Sequence, residues 1–195
     1  IGVDDFKELR EKAGYYVDKT LLIADILESN RTKVFHYIRP RRFGKSLNLS
    51  MLDAYLNMKH VGNTWFEGLA ISEKRPNDPL KNSYPVIELD FKRTAGGNHT
   101  EYLNKVRIQM MYTYSHFEYL VESEKIPNLY KDGFTKVING TCTNEELSAS
   151  IRQLCEMLEI HHGRKAVILI DEYDSPLNTI YGKKDHEKVL AFIRD

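Results

Sequence analysis

The chain has 195 residues, 42% of them hydrophobic and 29% charged, a balance that supports a packed core and excludes global disorder. Lys+Arg and Asp+Glu both number 28, so the formal net charge is zero, which argues against a protein built mainly to coat nucleic acid or an acidic membrane surface. Two cysteines, Cys142 and Cys155, are too few for a disulfide framework or a four-ligand zinc site, and the aliphatic run 166–170 is too short to span a bilayer.

In chain order, residues 4–11 read as a short helix with Phe6 and Leu9 turned inward. Asp18 stands as N-cap to a second helix over 19–28, striped by Leu21, Leu22, Ile26 and Leu27. Residues 33–38 are expected to form a strand that runs into Arg39-Pro40-Arg41-Arg42-Phe43-Gly44-Lys45-Ser46. Apolar residues at Leu47, Met51, Leu52, Tyr55 and Leu56 predict a helix over 45–58. A stretch punctuated by Gly and Pro follows, and then a second strand over 85–91. Tyr102, Val106, Met110, Phe117 and Leu120 predict a long helix over 100–122. Thr143 and Glu146 form a capping-box pattern ahead of Leu147, Ile151, Leu154 and Leu158, and Gly163 ends that helix. Residues 166–170 have the composition of a strand buried on both faces, ending in Asp171-Glu172-Tyr173-Asp174. A last helix is expected over 186–194. Strands separated by helices give an α/β class with a parallel sheet and helices on both sides.

Two segments carry chemistry. A phosphate-binding loop needs backbone N–H groups facing the ligand, a helix N-terminus behind them and a lysine reaching the terminal phosphates. In Gly44-Lys45-Ser46, Lys45 would pair with the β- and γ-phosphates and the Ser46 hydroxyl would ligate Mg²⁺. The general pattern G-x-x-x-x-G-K-[ST] has Arg39 at its first glycine, and the competing interpretation is a basic surface turn. The second segment is the 168–172 strand end, which delivers carboxylates at the edge where open α/β sheets bind ligands. Asp171 would hold Mg²⁺ through its water shell, and Glu172 would orient or deprotonate the attacking water.

Tyr16-Val17-Asp18-Lys19-Thr20, the block from Arg39 to Leu47, Tyr84-Pro85-Val86-Ile87 with Leu89-Asp90-Phe91, and Ile170-Asp171-Glu172-Tyr173-Asp174 occur in an order that resembles the bacterial AAA-ATPase-like family. The resemblance covers essentially the whole chain, and its arginine at position 39 follows the family form. It implies a three-layer P-loop NTPase-type parallel sheet flanked by helices, spanning 1–195 with a helical lead-in over 1–30. Arg39, Pro40, Arg41, Arg42, Phe43, Gly44, Lys45, Ser46 and Leu47 would bind the nucleotide. Ser46 and Asp171 would serve the metal, Lys45 and Glu172 catalysis, with ATP and Mg²⁺ as ligands. A nuclease-like domain would follow in the full-length protein. The resemblance supplies a domain and a ligand, not a biological process.

The chain begins at Ile1, and only one helix candidate follows the Asp171 strand, so a C-terminally truncated fragment is expected. In a 5-1-4-3-2 sheet the strand at 33–38 would lose a neighbour; if the two motif strands are adjacent, the shortened sheet closes. The chain is expected to be soluble and cytoplasmic, with no membrane partner. ATP hydrolysis is the leading expectation, and a nucleotide-gated switch with little turnover is the alternative. Helicase and nuclease fragments come behind: Asp171-Glu172-Tyr173-Asp174 fits D-E-x-D, while Asp90 and Lys92, with Asp78 upstream, form a D-x-K pattern. Nucleic-acid binding has no basic groove to support it. Arg41 and Arg42 would contact phosphate or lie in a surface turn, and Asp174 would assist the metal or cap the turn at Ser175-Pro176. Tyr15 or Tyr16 would stack on the adenine, with at least one of them in core packing. His161-His162 reads as an exposed helix end, and Cys155 as core.

Overall fold

A computed structural model of the chain describes residues 3–12, 14–29, 33–38 and 43–194. The chain divides into two compact units, residues 1–86 and 87–195.

In the first unit, α1 (Phe6–Glu11) starts at Asp5, whose carboxylate accepts the Glu8 N–H at 2.8 Å, and it buries Phe6 and Leu9 as expected. α2 (Leu21–Glu28) begins two residues later than expected, after Thr20. Asp18 is not its N-cap; the carboxylate instead takes the Thr20 N–H at 2.8 Å and the Ala70 N–H at 2.8 Å. The buried residues of α2 are Ile23 and Ala24, whereas Leu21 is exposed. So short a helix is held by the neighbours of one patch and not by a full apolar stripe.

Residues 33–38 form no strand. Val34 and Ile38 are 81% and 74% exposed, so their β-propensity meets no neighbouring strand or packed face that would hold it. α3 (Lys45–Leu56) does form, burying Met51 to Leu56 and packing against α1. It ends before residue 58 because Asn57 caps a following 3₁₀ turn and Met58 N–H bonds to the Tyr84 carbonyl at 2.9 Å. α4 (Ala70–Lys74) packs on α2. Phe6, Tyr16, Tyr55 and Phe66 join these elements in one aromatic cluster with ring centroids 4.9–5.3 Å apart.

The second unit is built on a parallel two-stranded sheet of β1 (Val86–Asp90) and β2 (Val167–Asp171). Between them run α5 (His99–Ser115), α6 (Asn128–Ile138), α7 (Asn144–Ser148) and α8 (Ser150–His162). α9 (Ser175–Ile180) and α10 (His186–Arg194) follow, the last as expected. Tyr102, Val106, Met110, Tyr114, Phe134, Leu154, Met157 and Leu158 share one core with Ile87 and Leu89 of β1. The Thr143–Glu146 capping box is present, and Gly163 ends α8 at φ 69°.

Three further elements, in the second unit, differ from expectation. α5 stops at Ser115, and its predicted continuation is a 3₁₀ turn that still buries Leu120. The helix after Thr143 breaks at Ala149, where the buried Ser150 hydroxyl bonds the Leu147 carbonyl at 2.7 Å and diverts the helix into α8. β2 is buried on one face only: Leu169 is 9% exposed, while Ile168 and Ile170 are 38% and 42% exposed. Both faces of a strand are buried only where two layers cover it, and its aliphatic composition cannot show that they do. The observed class is α/β with a small parallel sheet and helices. Among the described residues the sheet has two strands.

Candidate nucleotide-binding residues

Gly44 is the N-cap of α3, at φ 76° and ψ 29°. This left-handed conformation suits glycine, because a β-carbon there crowds the following carbonyl. The first backbone bond closed within the helix runs from Asn48 N–H to the Gly44 carbonyl at 2.9 Å. The amides ahead of it therefore point out of the helix's positive end, with Lys45, Ser46 and Leu47 half-buried in the first turn. Phe43, just before, is 58% exposed. Arg39, Pro40, Arg41 and Arg42 lie outside the described residues.

At the end of β2, the Asp171 carboxylate accepts the Glu172 N–H at 2.9 Å, which fixes one of its oxygens. Glu172 has φ 51°, a left-handed conformation that costs a non-glycine residue about 1–2 kcal/mol. It is held there by the turn that follows, in which Ser175 N–H donates to the Glu172 carbonyl at 2.9 Å. Both acids are half-buried. Strain of this kind concentrates at functional positions. Asp174 serves structure instead: it precedes α9 and accepts the Asn178 side-chain amide at 2.8 Å.

The donor types suit Mg²⁺, which binds hard oxygens and takes one or two carboxylates beside substrate phosphates. Ser46 offers a hydroxyl at the head of α3 in the first unit, and Asp171 offers a carboxylate at the end of β2 in the second. No cluster of three or more His, Cys, Asp or Glu able to hold a metal occurs among the described residues, and such an ion does not need one.

The other candidates have structural partners. Asp78 accepts Arg75 Nε at 2.6 Å and the Tyr55 hydroxyl at 2.8 Å; burial works to raise its pKa, but these bonds, the Leu80 N–H and the Arg75 charge lower it overall. Asp90 accepts the Lys92 N–H at 3.0 Å and pairs with Arg93 at 3.4 Å, so the D-x-K pattern marks a 3₁₀ cap. Tyr16 packs edge-on against Phe6, while Tyr15 is 92% exposed and remains the adenine candidate. His161 bonds Ser123, His162 bonds Tyr119, and half-buried Cys155 packs against the core.

Nothing in the sequence assigns Lys19, within the 16–20 block, a role of its own. The Lys19 Nζ lies 3.8 Å from the position a β-carbon would take on Gly44.

No helix among the described residues is long and apolar enough to cross a membrane. A protein of Azotobacter chroococcum mcd 1, described as an uncharacterized protein in the vnfD 5′ region, is 27% identical over 180 residues. The alignment covers 91% of this chain and 29% of that protein, so the chain spans under a third of that relative's length. No solved structure matches the chain. With glycine, lysine and serine at the head of α3 and two acids at the end of β2, the chain belongs to the predicted AAA-ATPase family, whose family model matches residues 1–195.

Proposed function

We propose that residues 1–195 form a P-loop domain that binds and hydrolyses ATP with Mg²⁺, in a bacterial cytoplasmic protein where a nuclease-like domain follows. The observation that carries this reading is the left-handed Gly44 heading α3, with Lys45 and Ser46 in its first turn. A helix N-terminus presents outward N–H groups and a positive dipole end to phosphate, and Lys45 adds a full charge. Arg39 to Phe43, with Leu47, would complete the loop around the phosphates.

Ser46 and Asp171 would hold Mg²⁺, which when bound neutralises charge on the phosphate oxygens. Lys45 stabilises the charge that builds on the transferred phosphoryl group. Glu172 orients water for attack and receives its proton, from a strained backbone position of the kind that clusters at functional sites. Tyr15, the exposed tyrosine of the lead-in, would stack on the base.

Phosphate release from Mg·ATP tests the proposal. Glu172→Gln should lower turnover by about 10²-fold or more while leaving Mg·ATP affinity within about twofold. Equal turnover in parent and variant would remove Glu172 from the chemistry. Tight binding with no turnover in the parent would turn the reading toward a nucleotide-gated switch.

A further inference from the structure

Three of the five residues in Tyr16-Val17-Asp18-Lys19-Thr20 are tied to the body of the first unit. The Tyr16 hydroxyl donates to Met51 Sδ of α3 at 3.1 Å and accepts the Lys19 N–H at 3.3 Å. Asp18 takes the Thr20 N–H and hydroxyl through one oxygen, at 2.8 and 2.7 Å, and the Ala70 N–H through the other, at 2.8 Å. Thr20, fully buried, accepts the Ile71 N–H at 3.1 Å. These bonds fasten the block to α3 on one side and to the start of α4 on the other. The Lys19 backbone is thus fixed, while its side chain is exposed.

The Lys19 ammonium lies beside the N-cap of α3. Leaving aside the flanking Phe43 and Lys45, it is the one group among the described residues within 4 Å of the side-chain position that Gly44 leaves empty. No acid among them pairs with it. An exposed ammonium next to the positive end of a helix adds to a local positive field that an incoming anion would meet favourably.

We propose that Lys19 is a second phosphate-binding lysine, meeting the triphosphate chain of the nucleotide at the N-terminus of α3 beside Lys45. The inference rests on the phosphate-loop reading above and deepens it. A helix terminus carries roughly half a positive charge, so together with Lys45 and Mg²⁺ it still leaves part of a triphosphate's charge uncompensated. Lys19 supplies a further full charge from a segment distant in sequence. The bonds of Tyr16, Asp18 and Thr20 position that charge before ligand arrives, which lowers the ordering cost of binding.

The test is calorimetric titration of Mg·ATP into the full chain and into Lys19→Met, Lys19→Arg and Lys45→Ala. Lys19→Met should weaken binding by about tenfold to a hundredfold, the range for a charge-assisted bond, and should reduce the salt dependence of the affinity. Lys19→Arg should recover most of the loss. The ligand-free unfolding midpoint of Lys19→Met should match the parent, which separates a lost phosphate contact from a damaged fold. Unchanged affinity in Lys19→Met, with binding still abolished in Lys45→Ala, would overturn the role of Lys19 and leave the phosphate loop standing. Failure of the parent to bind Mg·ATP would overturn both.

Discussion

The two units are held together by different physics. In the first, long stretches without regular structure, such as 61–69 and 75–85, are fixed by side chains that bond backbone groups far away in sequence. Arg10 donates to the carbonyls of Trp65 and Glu67 at 2.7 and 3.0 Å, and Asn82 donates to those of Ala54 and Asn57, both at 2.9 Å. Asp18 and Thr20 receive the Ala70 and Ile71 amides. The second unit instead surrounds α5 and α8 with a continuous apolar core running from Ile87 to Val189. Many interchangeable contacts position β2 and its acids, whereas a few specific polar bonds position the segments around the head of α3. Loss of one polar partner should therefore be felt in the first unit as an unsatisfied buried group, and loss of a core side chain in the second as a cavity.

The largest effect is expected in the second unit. Leu158 is fully buried in the core, and Leu158→Ala should destabilise by about 2–5 kcal/mol in denaturant unfolding followed by far-UV circular dichroism. A loss below about 1 kcal/mol would show that the core is less tightly packed than described. Asn82→Ala comes next. It strips bonds from two carbonyls and from the Asn63 amide and leaves a β-carbon at φ 51°, for a loss of about 2–3 kcal/mol. Fluorescence of Trp65, the chain's single tryptophan, reports it from within the same unit.

Acid should act more gently, through Asp18 and Asp78. Burial alone would raise their pKa values, but hydrogen bonds (from Ala70 and Thr20 to Asp18, and from Arg75, Leu80 and Tyr55 to Asp78) and nearby arginine charge lower both. A depressed native pKa gives stabilisation that is complete above the ordinary aspartate range and fades as pH falls through the lowered value. The stability gap between parent and Asp78→Asn should thus be widest near neutrality and close below about pH 4. A gap independent of pH would contradict the ionic role. The smallest effect is expected at Glu172: replacing it with glycine relieves the left-handed backbone and should stabilise by about 1 kcal/mol while removing turnover.

The same contrast explains what the sequence revealed. Periodic apolar spacing located α3, α8 and most of α5, and the Thr143–Glu146 box and Gly163 marked two of the helix boundaries correctly. α6 went unseen although Tyr130, Phe134, Val137 and Ile138 recur at helical spacing and pack on the core. Strand composition was a poorer guide than helix period. Residues 33–38 have the β-branched and aromatic content of a strand but no strand among the described residues to pair with, and β2 has the composition of a doubly buried strand but one covered face. Lys45, Ser46, Asp171 and Glu172 stood out in the sequence because phosphate chemistry calls for those types beside a helix start and a strand end, and α3 and β2 supply such a start and such an end. The strain at Glu172 and the placement of Lys19 beside Gly44 arise from tertiary contacts that no local pattern encodes.

The central claim is that the head of α3 is a phosphate site, and calorimetric titration of Mg·ATP into the parent and into Lys45→Ala tests it most directly. Saturable binding in the parent, lost in a Lys45→Ala protein whose ligand-free unfolding midpoint is unchanged, is the predicted result. Equal binding by both proteins, or none by the folded parent, would contradict it.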